Sequence, residues 1–228
     1  LLNTKEYRGI FRQVIKAFQL PSVCDSCGLD GEHIHGLCNA CSYALPWPSH
    51  CCSCCALALA PIQTDMQALV GQRLCLEYAS STRLFEHVKA TLAYSGHAQA
   101  LINGLKTSGR LSRARVLAEL MDWRRQEQSA DGFLDDVAVL IPIPSKPSRL
   151  RERGFNPAGE LARCLARLVR VPVLLHGLRR HSHPPAQSSV VTRKARQRNA
   201  ASMFFYAGDC PPKVILIDDV MTTGATLE

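Results

Sequence analysis

One run near the C-terminal end limits the possible folds most, Val214-Ile-Leu-Ile-Asp-Asp-Val-Met-Thr-Thr-Gly-Ala-Thr226. Its four leading apolar residues leave no polar face. They predict a strand buried on both sides, as in parallel sheets covered by helices. The strand ends in two carboxylates, followed by a hydroxyl-rich loop with one glycine. Gly224 lets the backbone turn tightly, and successive N–H groups at the start of a following helix make an anion nest. Asp218 and Asp219 can accept hydrogen bonds from vicinal ribose hydroxyls, while Thr222, Thr223 and Thr226 supply hydroxyl donors. Together these features describe a pocket for a sugar phosphate, with acids on the sugar side and N–H groups on the phosphate side. The other common phosphate loop, a Gly-rich turn ending in Gly-Lys-Ser/Thr, does not occur in the sequence, which argues against an ATPase.

The rest of the chain sets this strand in an alternating pattern. Val137–Ile143 is a second continuous apolar run and predicts another buried parallel strand. Asn156-Pro157 is a helix start: Asn caps orphan N–H groups and Pro fits the first turn. Leu161, Cys164, Leu165 and Leu168 form the apolar stripe that follows. Val171–Leu175 reads as a short strand and Val88–Tyr94 as another. Gly96 opens a helix with Ala100, Leu101 and Leu105 on one face, and a second helix spans about Ser112–Trp123. Residues 5–20 read as a packing helix stopped by Pro21. Alternating strands and helices predict an α/β fold with a mostly parallel, doubly wound sheet. In such sheets ligands sit beyond the carboxyl ends of the strands, where Asp218 falls. With 228 residues, 46% hydrophobic, the chain has room for one such domain and a small extra module.

The cysteines supply the extra module. Eight of eleven lie between residues 24 and 55, in close pairs. Cys24-Asp-Ser-Cys27 and Cys38-Asn-Ala-Cys41 are metal knuckles, and four thiolates form the soft, tetrahedral donor set that zinc prefers. Cys51-Cys-Ser-Cys-Cys55 can be read as a Cys51/Cys54 or a Cys52/Cys55 pair. A second site needs Cys75 and a fourth ligand, with His33, His35 and His50 as candidates, and crossed pairing of the knuckles stays open. Metal knuckles imply a reducing compartment, hence the cytoplasm. No apolar run approaches the ~18 residues of a membrane span. The net charge is +8, concentrated in Arg149–Arg153 and Arg193–Arg198. Such loops attract polyphosphates or nucleic acid, although no aromatic residues interleave them to make a stacking platform.

The 214–226 segment resembles the phosphoribosyl diphosphate motif of type I phosphoribosyltransferases. That resemblance implies that Asp218 and Asp219 hold ribose hydroxyls and serve the chemistry, and that Met221, Thr222, Thr223, Gly224, Ala225 and Thr226 form the 5-phosphate loop. Ser145 and Lys146, after the Val137 strand, match the family's diphosphate loop, with Mg²⁺ bridging the diphosphate. The order of a Cys-pair module, Leu101-Ile-Asn-Gly-Leu-Lys106, Ile141-Pro-Ile-Pro144, Arg153-Gly154-Phe155-Asn156, Gln187, Arg196–Asn199, Phe204 and the phosphate loop is similar to the ComF family. This implies an N-terminal zinc-ribbon module and a role linked to DNA uptake. The expected organisation is a helix over 1–21, a zinc module over 22–78 holding Cys24, Cys27, Cys38 and Cys41, and a phosphoribosyltransferase-like domain over 85–228, cut short at its C-terminus. By the family pattern Cys52, Cys55 and Cys75 belong to the second metal site. Two departures stand out. Pro157 replaces a frequent Gln, and the fourth cysteine pair is reduced to Gln72-Arg-Leu-Cys75. The competing expectation is a non-catalytic adaptor for single-stranded DNA or competence proteins that uses the zinc module and basic loops. A third is a sensor of the ribose compound without turnover.

Overall fold

A computed structural model of the chain describes residues 23–31, 33–49, 51–52, 54–59, 75, 85–127, 133–181, 203–206, 208–209 and 211–221. The helix expected over residues 5–20, the basic stretch Arg193–Arg198 and the loop Thr222–Thr226 lie outside the described residues. The elements run β1 (His33–Ile34), β2 (Leu37–Cys38), α1 (Asn39–Tyr43), α2 (Gly96–Ser108), α3 (Ser112–Glu127), β3 (Val139–Pro142), α4 (Pro147–Arg153), α5 (Pro157–Val169), β4 (Leu178–Arg180), β5 (Phe204–Tyr206) and β6 (Val214–Ile217).

The two apolar runs pair with each other. β3 and β6 are parallel, in register from Val139 opposite Val214 to Pro142 opposite Ile217. Every residue of β3 is buried, which explains its lack of polar alternation. The expected strand at 171–175 narrows to one parallel bridge between Val173 and Leu140. There Leu140 N–H donates to Pro172 O at 2.8 Å and Leu174 N–H to Leu140 O at 2.9 Å. Pro172 has no N–H to extend the ladder. β4 and β5 form a separate antiparallel pair.

α5 lies between this sheet and α3, touching β3, β6 and α3. It starts at Asn156 with Pro157 in the first turn, and buries Ala158, Gly159, Leu161, Ala162 and Leu165. Leu168, expected in its stripe, is 42% exposed, and Cys164 is half-buried. α3 packs in turn on α2, whose buried face is Ala98, Leu101, Ile102 and Leu105, while Ala100 faces out. α3 runs a turn beyond the expected Trp123. Asp122 and Arg125 pair at 2.7 Å, and the Arg124 guanidinium lies 5.8 Å above the Trp47 ring. Leu37, Cys41, Leu101, Leu120, Leu140, Leu161 and Ile217 belong to one core, so the cysteine-rich segment is packed onto the α/β part. Each such leucine contributes about 1.5–3 kcal/mol by leaving water.

Val88–Tyr94 is not a strand. Two of its N–H groups are taken by the cysteine-rich segment: Val88 N–H donates to Cys54 O at 2.7 Å and Ala93 N–H to Pro46 O at 2.9 Å. No helix among the described residues is long and apolar enough to cross a membrane.

Candidate functional site

Parallel pairing brings the ends of β3 and β6 to the same edge, with Ile143 N–H donating to Ile217 O at 2.8 Å. The loops leaving these two strands therefore meet, and a cavity of about 330 Å³ opens between them. Four cations line it, Lys106, Lys146, Arg149 and Arg153, together with Ser145, Asn156 and the carboxylates of Asp218 and Asp219. This is where ligands of parallel sheets bind, and the mixture of charges suits a ligand with both anionic and hydroxyl groups.

Asp218 and Asp219 differ. Burial pushes the Asp218 carboxyl up to about 6, the Asp219 charge adds to this, and the Asp219 N–H and Lys106 oppose it. That N–H reaches Asp218 Oδ1 at 2.8 Å. Asp219 instead pairs with Lys106, Nζ to Oδ1 at 2.7 Å, both side chains largely buried. Lys106 comes from the last turn of α2. It was missed as a site residue because nothing local marks it, although its segment Leu101–Lys106 stands among the ComF-like blocks.

Each residue of Arg153-Gly-Phe-Asn156 has a separate role. Arg153 lines the cavity. Gly154, at φ 79°, ends α4 in the left-handed conformation, and its N–H donates to Leu150 O at 2.8 Å. Phe155 packs on the core. Asn156 sits at the N-cap of α5, but its side chain makes no cap. Its Nδ2 donates to Ile143 O at 2.9 Å, and its Oδ1 accepts from Ser145 Oγ at 2.9 Å. The predicted capping role is thus replaced by one that fixes the loop after β3. Lys146 stands at the N-cap of α4. Met221 is the last described residue of the β6 loop. Thr222, Thr223, Gly224, Ala225 and Thr226 lie outside the described residues.

The cysteines gather into two clusters that could hold zinc. Cys24, Cys27, Cys38 and Cys41 have sulfurs within 4.8 Å of one another, as do Cys52, Cys55 and Cys75. The knuckles are not crossed, and the Cys52/Cys55 register is the one used. The β1–β2 hairpin turns at His35 and Gly36, both with positive φ, and folds the second knuckle back on the first. Cys27 and Cys38 sulfurs are 3.8 Å apart, and Cys55 and Cys75 sulfurs 3.4 Å. His33 and His35 belong elsewhere: His33 Nε2 lies 3.3 Å from Leu29 O, and His35 Nδ1 lies 3.5 Å from Glu119 Oε2. His50 lies outside the described residues. Burial pushes the Cys24 thiol up, but N–H groups of Cys27, Cys38 and Ser26 outweigh it and bring it down to about 6. Cys52 is treated alike by burial and by N–H groups of Cys55, Cys75 and Cys54, and falls to about 7. Each cluster thus favours one thiolate, the form that binds metal. Burial holds Cys41 and Cys55 up at about 12, so a metal ion would displace their protons.

Known proteins share much of this chain. It is 31% identical over 130 residues to Competence protein F of Haemophilus influenzae, a match covering 56% of this chain and 57% of that protein. It is 35% identical over 98 residues to Competence protein ComFC of Bacillus subtilis, covering 42% of this chain and 37% of that protein. The chain therefore spans little more than half of the first relative and little more than a third of the second. No protein-family model matches it, and no solved structure does. These two relatives support a place for the chain in the ComF family.

Proposed function

We propose that the cavity at the ends of β3 and β6 binds phosphoribosyl diphosphate, on a domain of the doubly wound phosphoribosyltransferase type. The observation that carries this reading is the charge arrangement: Asp218 and Asp219 at the end of one parallel strand, and Lys146, Arg149 and Arg153 around the loop after its neighbour. The carboxylates accept the vicinal ribose hydroxyls, and the cations hold the diphosphate. The Thr222–Thr226 loop takes the 5-phosphate by its resemblance to the family motif. Zinc held by Cys24, Cys27, Cys38 and Cys41 is structural: four thiolates suit it and leave no position for a reacting water. Cys52, Cys55 and Cys75 offer three thiolates to a second ion. Mg²⁺ bound with the diphosphate supplies charge compensation for the leaving group, and Asp218 and Asp219 offer the oxygen donors such hard ions prefer.

In the transfer reaction the bond from the anomeric carbon to diphosphate breaks, and its electron pair leaves with the diphosphate. The acceptor's lone pair forms the new bond. The oxocarbenium-like transition state needs positioning and charge stabilisation rather than a protein nucleophile. By kinship with the competence proteins, this chemistry or binding serves DNA uptake in the cytoplasm. Calorimetric titration of phosphoribosyl diphosphate with Mg²⁺ tests the binding. Heat is expected from the parent and none from Asp218→Asn; no heat from the parent, or equal heat from both, overturns the reading. Release of diphosphate in the presence of an acceptor separates an enzyme from a sensor.

A second reading is favoured by the exposed arginines of α4, Arg149 and Arg151, and by the metal-ready cysteines: a non-catalytic adaptor on single-stranded DNA or competence proteins. It predicts single-stranded DNA binding that falls steeply with salt. Unchanged binding after neutralising Arg149, Arg151 and Arg193–Arg198 would remove it.

A further inference from the structure

The first cysteine knuckle is fastened to α2, which carries Lys106, and to α3. Its two intervening residues, Asp25 and Ser26, both reach across to them. Ser26 Oγ and His97 Nδ1 are hydrogen-bonded at 2.9 Å, at the start of α2. Ser112 Oγ donates to Asp25 Oδ1 at 2.5 Å, at the start of α3. Between these lies Arg113, a charged side chain only 7% exposed. Its Nε donates to Asp25 O at 3.0 Å and its Nη1 to Ala100 O at 2.7 Å. The guanidinium occupies the space over Gly104, where a Cβ would meet Nη1 at 1.5 Å. Glycine in a helix interior costs about 1 kcal/mol relative to alanine; here it makes room for the arginine. A buried arginine that bridges two backbone carbonyls of separate elements fixes their spacing, because its planar fork is rigid. Two residues beyond Gly104, α2 presents Lys106 to Asp219.

We infer that Arg113 is a positioning residue for the cavity at the ends of β3 and β6. It clamps α2 to the first cysteine knuckle and so sets the Lys106–Asp219 ion pair and the place of Lys106 in the ligand site. This rests on the sugar-phosphate reading of that cavity. It goes further in making the cysteine module part of the site rather than an appended arm. Coupling between sites is typically about 5- to 150-fold in affinity, and the lower end is expected here because Lys106 is one of four cations.

The test is a cycle of four full-length proteins: the parent, Arg113→Lys, Lys106→Met and the double variant. Inorganic diphosphate is the probe by calorimetry, and hydrogen exchange of the segments 96–108 and 211–221 is the second measurement. Arg113→Lys keeps the charge but not the fork. It is expected to weaken diphosphate about fivefold in the parent background and to leave affinity unchanged in the Lys106→Met background. A merely structural lesion would weaken both backgrounds equally, and that result overturns the inference. If Arg113→Lys is too unstable to isolate, Gly104→Ala displaces the same guanidinium and replaces it in the cycle. A parent that binds no diphosphate refutes the phosphate reading of the cavity, and hydrogen exchange then decides the coupling. Faster exchange at 211–221 in both Arg113→Lys and Lys106→Met upholds it, and unchanged exchange there overturns it.

Discussion

Replacing Asp218 with Asn should stabilise the protein while abolishing ligand binding, and the pH dependence of that gain is its signature. The folded protein holds the Asp218 carboxyl at about 6 against an ordinary 3.8, first through burial and then through the Asp219 charge. A group raised in this way favours the folded state fully below its unfolded value, and that stability is lost as pH rises through the folded value. The window is therefore pH 4 to 6. Each pH unit is worth 1.36 kcal/mol, and partial solvent access reduces the effect, so the ionised carboxylate costs between about 1 and 3 kcal/mol at pH 8. Asn is isosteric, carries no charge, and its carbonyl still accepts the Asp219 N–H that now reaches Oδ1 at 2.8 Å. Urea unfolding of the parent and Asp218→Asn at pH 8 and pH 4.5 measures the difference. The variant should be more stable at pH 8 by about 1–3 kcal/mol, with the gap closing toward pH 4. An equal gap at both pH values, or a more stable parent at pH 8, would refute the reasoning.

Three further outcomes follow from the same geometry. The purified protein should carry two zinc equivalents by elemental analysis, with Cys41→Ser and Cys75→Ser each lowering the count by one; a parent with one equivalent would remove the second site. Asn156→Ala deletes the bonds to Ile143 O and from Ser145 Oγ, and should lose about 1–3 kcal/mol in urea, because a half-buried carbonyl and hydroxyl lose their partners; Asn156→Asp, which cannot donate to Ile143 O, should recover little of it. Ribose 5-phosphate binding at pH 6 should release a fraction of a proton, since hydroxyl donors favour the ionised Asp218; titrations in buffers of different ionisation enthalpy measure this, and proton uptake contradicts it.

The readable parts of this fold were those where one stretch of chain determines the outcome. Val139–Pro142 reads as a strand because two-sided burial removes polar residues locally. Val214–Ile217 reads alike and pairs with it in parallel, but buries only Ile217 and leaves Leu216 36% exposed, so its apolar run overstated its burial. Val88–Tyr94 reads as a strand from its residue types, but those do not say what its N–H groups bond, and those of Val88 and Ala93 bond Cys54 O and Pro46 O. Asn156 marked the helix start correctly, yet its amide serves the loop after β3. That use depends on Ile143 and Ser145 being brought alongside by tertiary packing. The cysteine partition was open in the sequence because knuckle spacing permits several pairings; the β1–β2 hairpin and its positive-φ turn at His35 and Gly36 select one. Lys106 was invisible as a site residue for the same reason as Arg113. Both act through partners far along the chain, and neither carries a local signature.

The carboxylate pair also separates the two functional readings. A surface that only tracks a nucleic-acid backbone gains from cations and loses from nearby acids, since phosphate repels carboxylate. Here two acids sit among four cations in one cavity, and one of them is held at about 6 by burial. Perturbed carboxyls of this kind concentrate at functional sites. In the free protein Lys106 and the Asp219 N–H offset the arrangement only in part, and a ligand that brings hydroxyl donors or a cation to the acids and anionic groups to the lysine and arginines offsets it further. A sugar diphosphate with its Mg²⁺ brings all of these, and a bare phosphate backbone brings only the last. Asp218→Asn therefore divides the readings by sign: it should abolish sugar-phosphate binding, whereas removing a carboxylate should strengthen an adaptor's hold on single-stranded DNA.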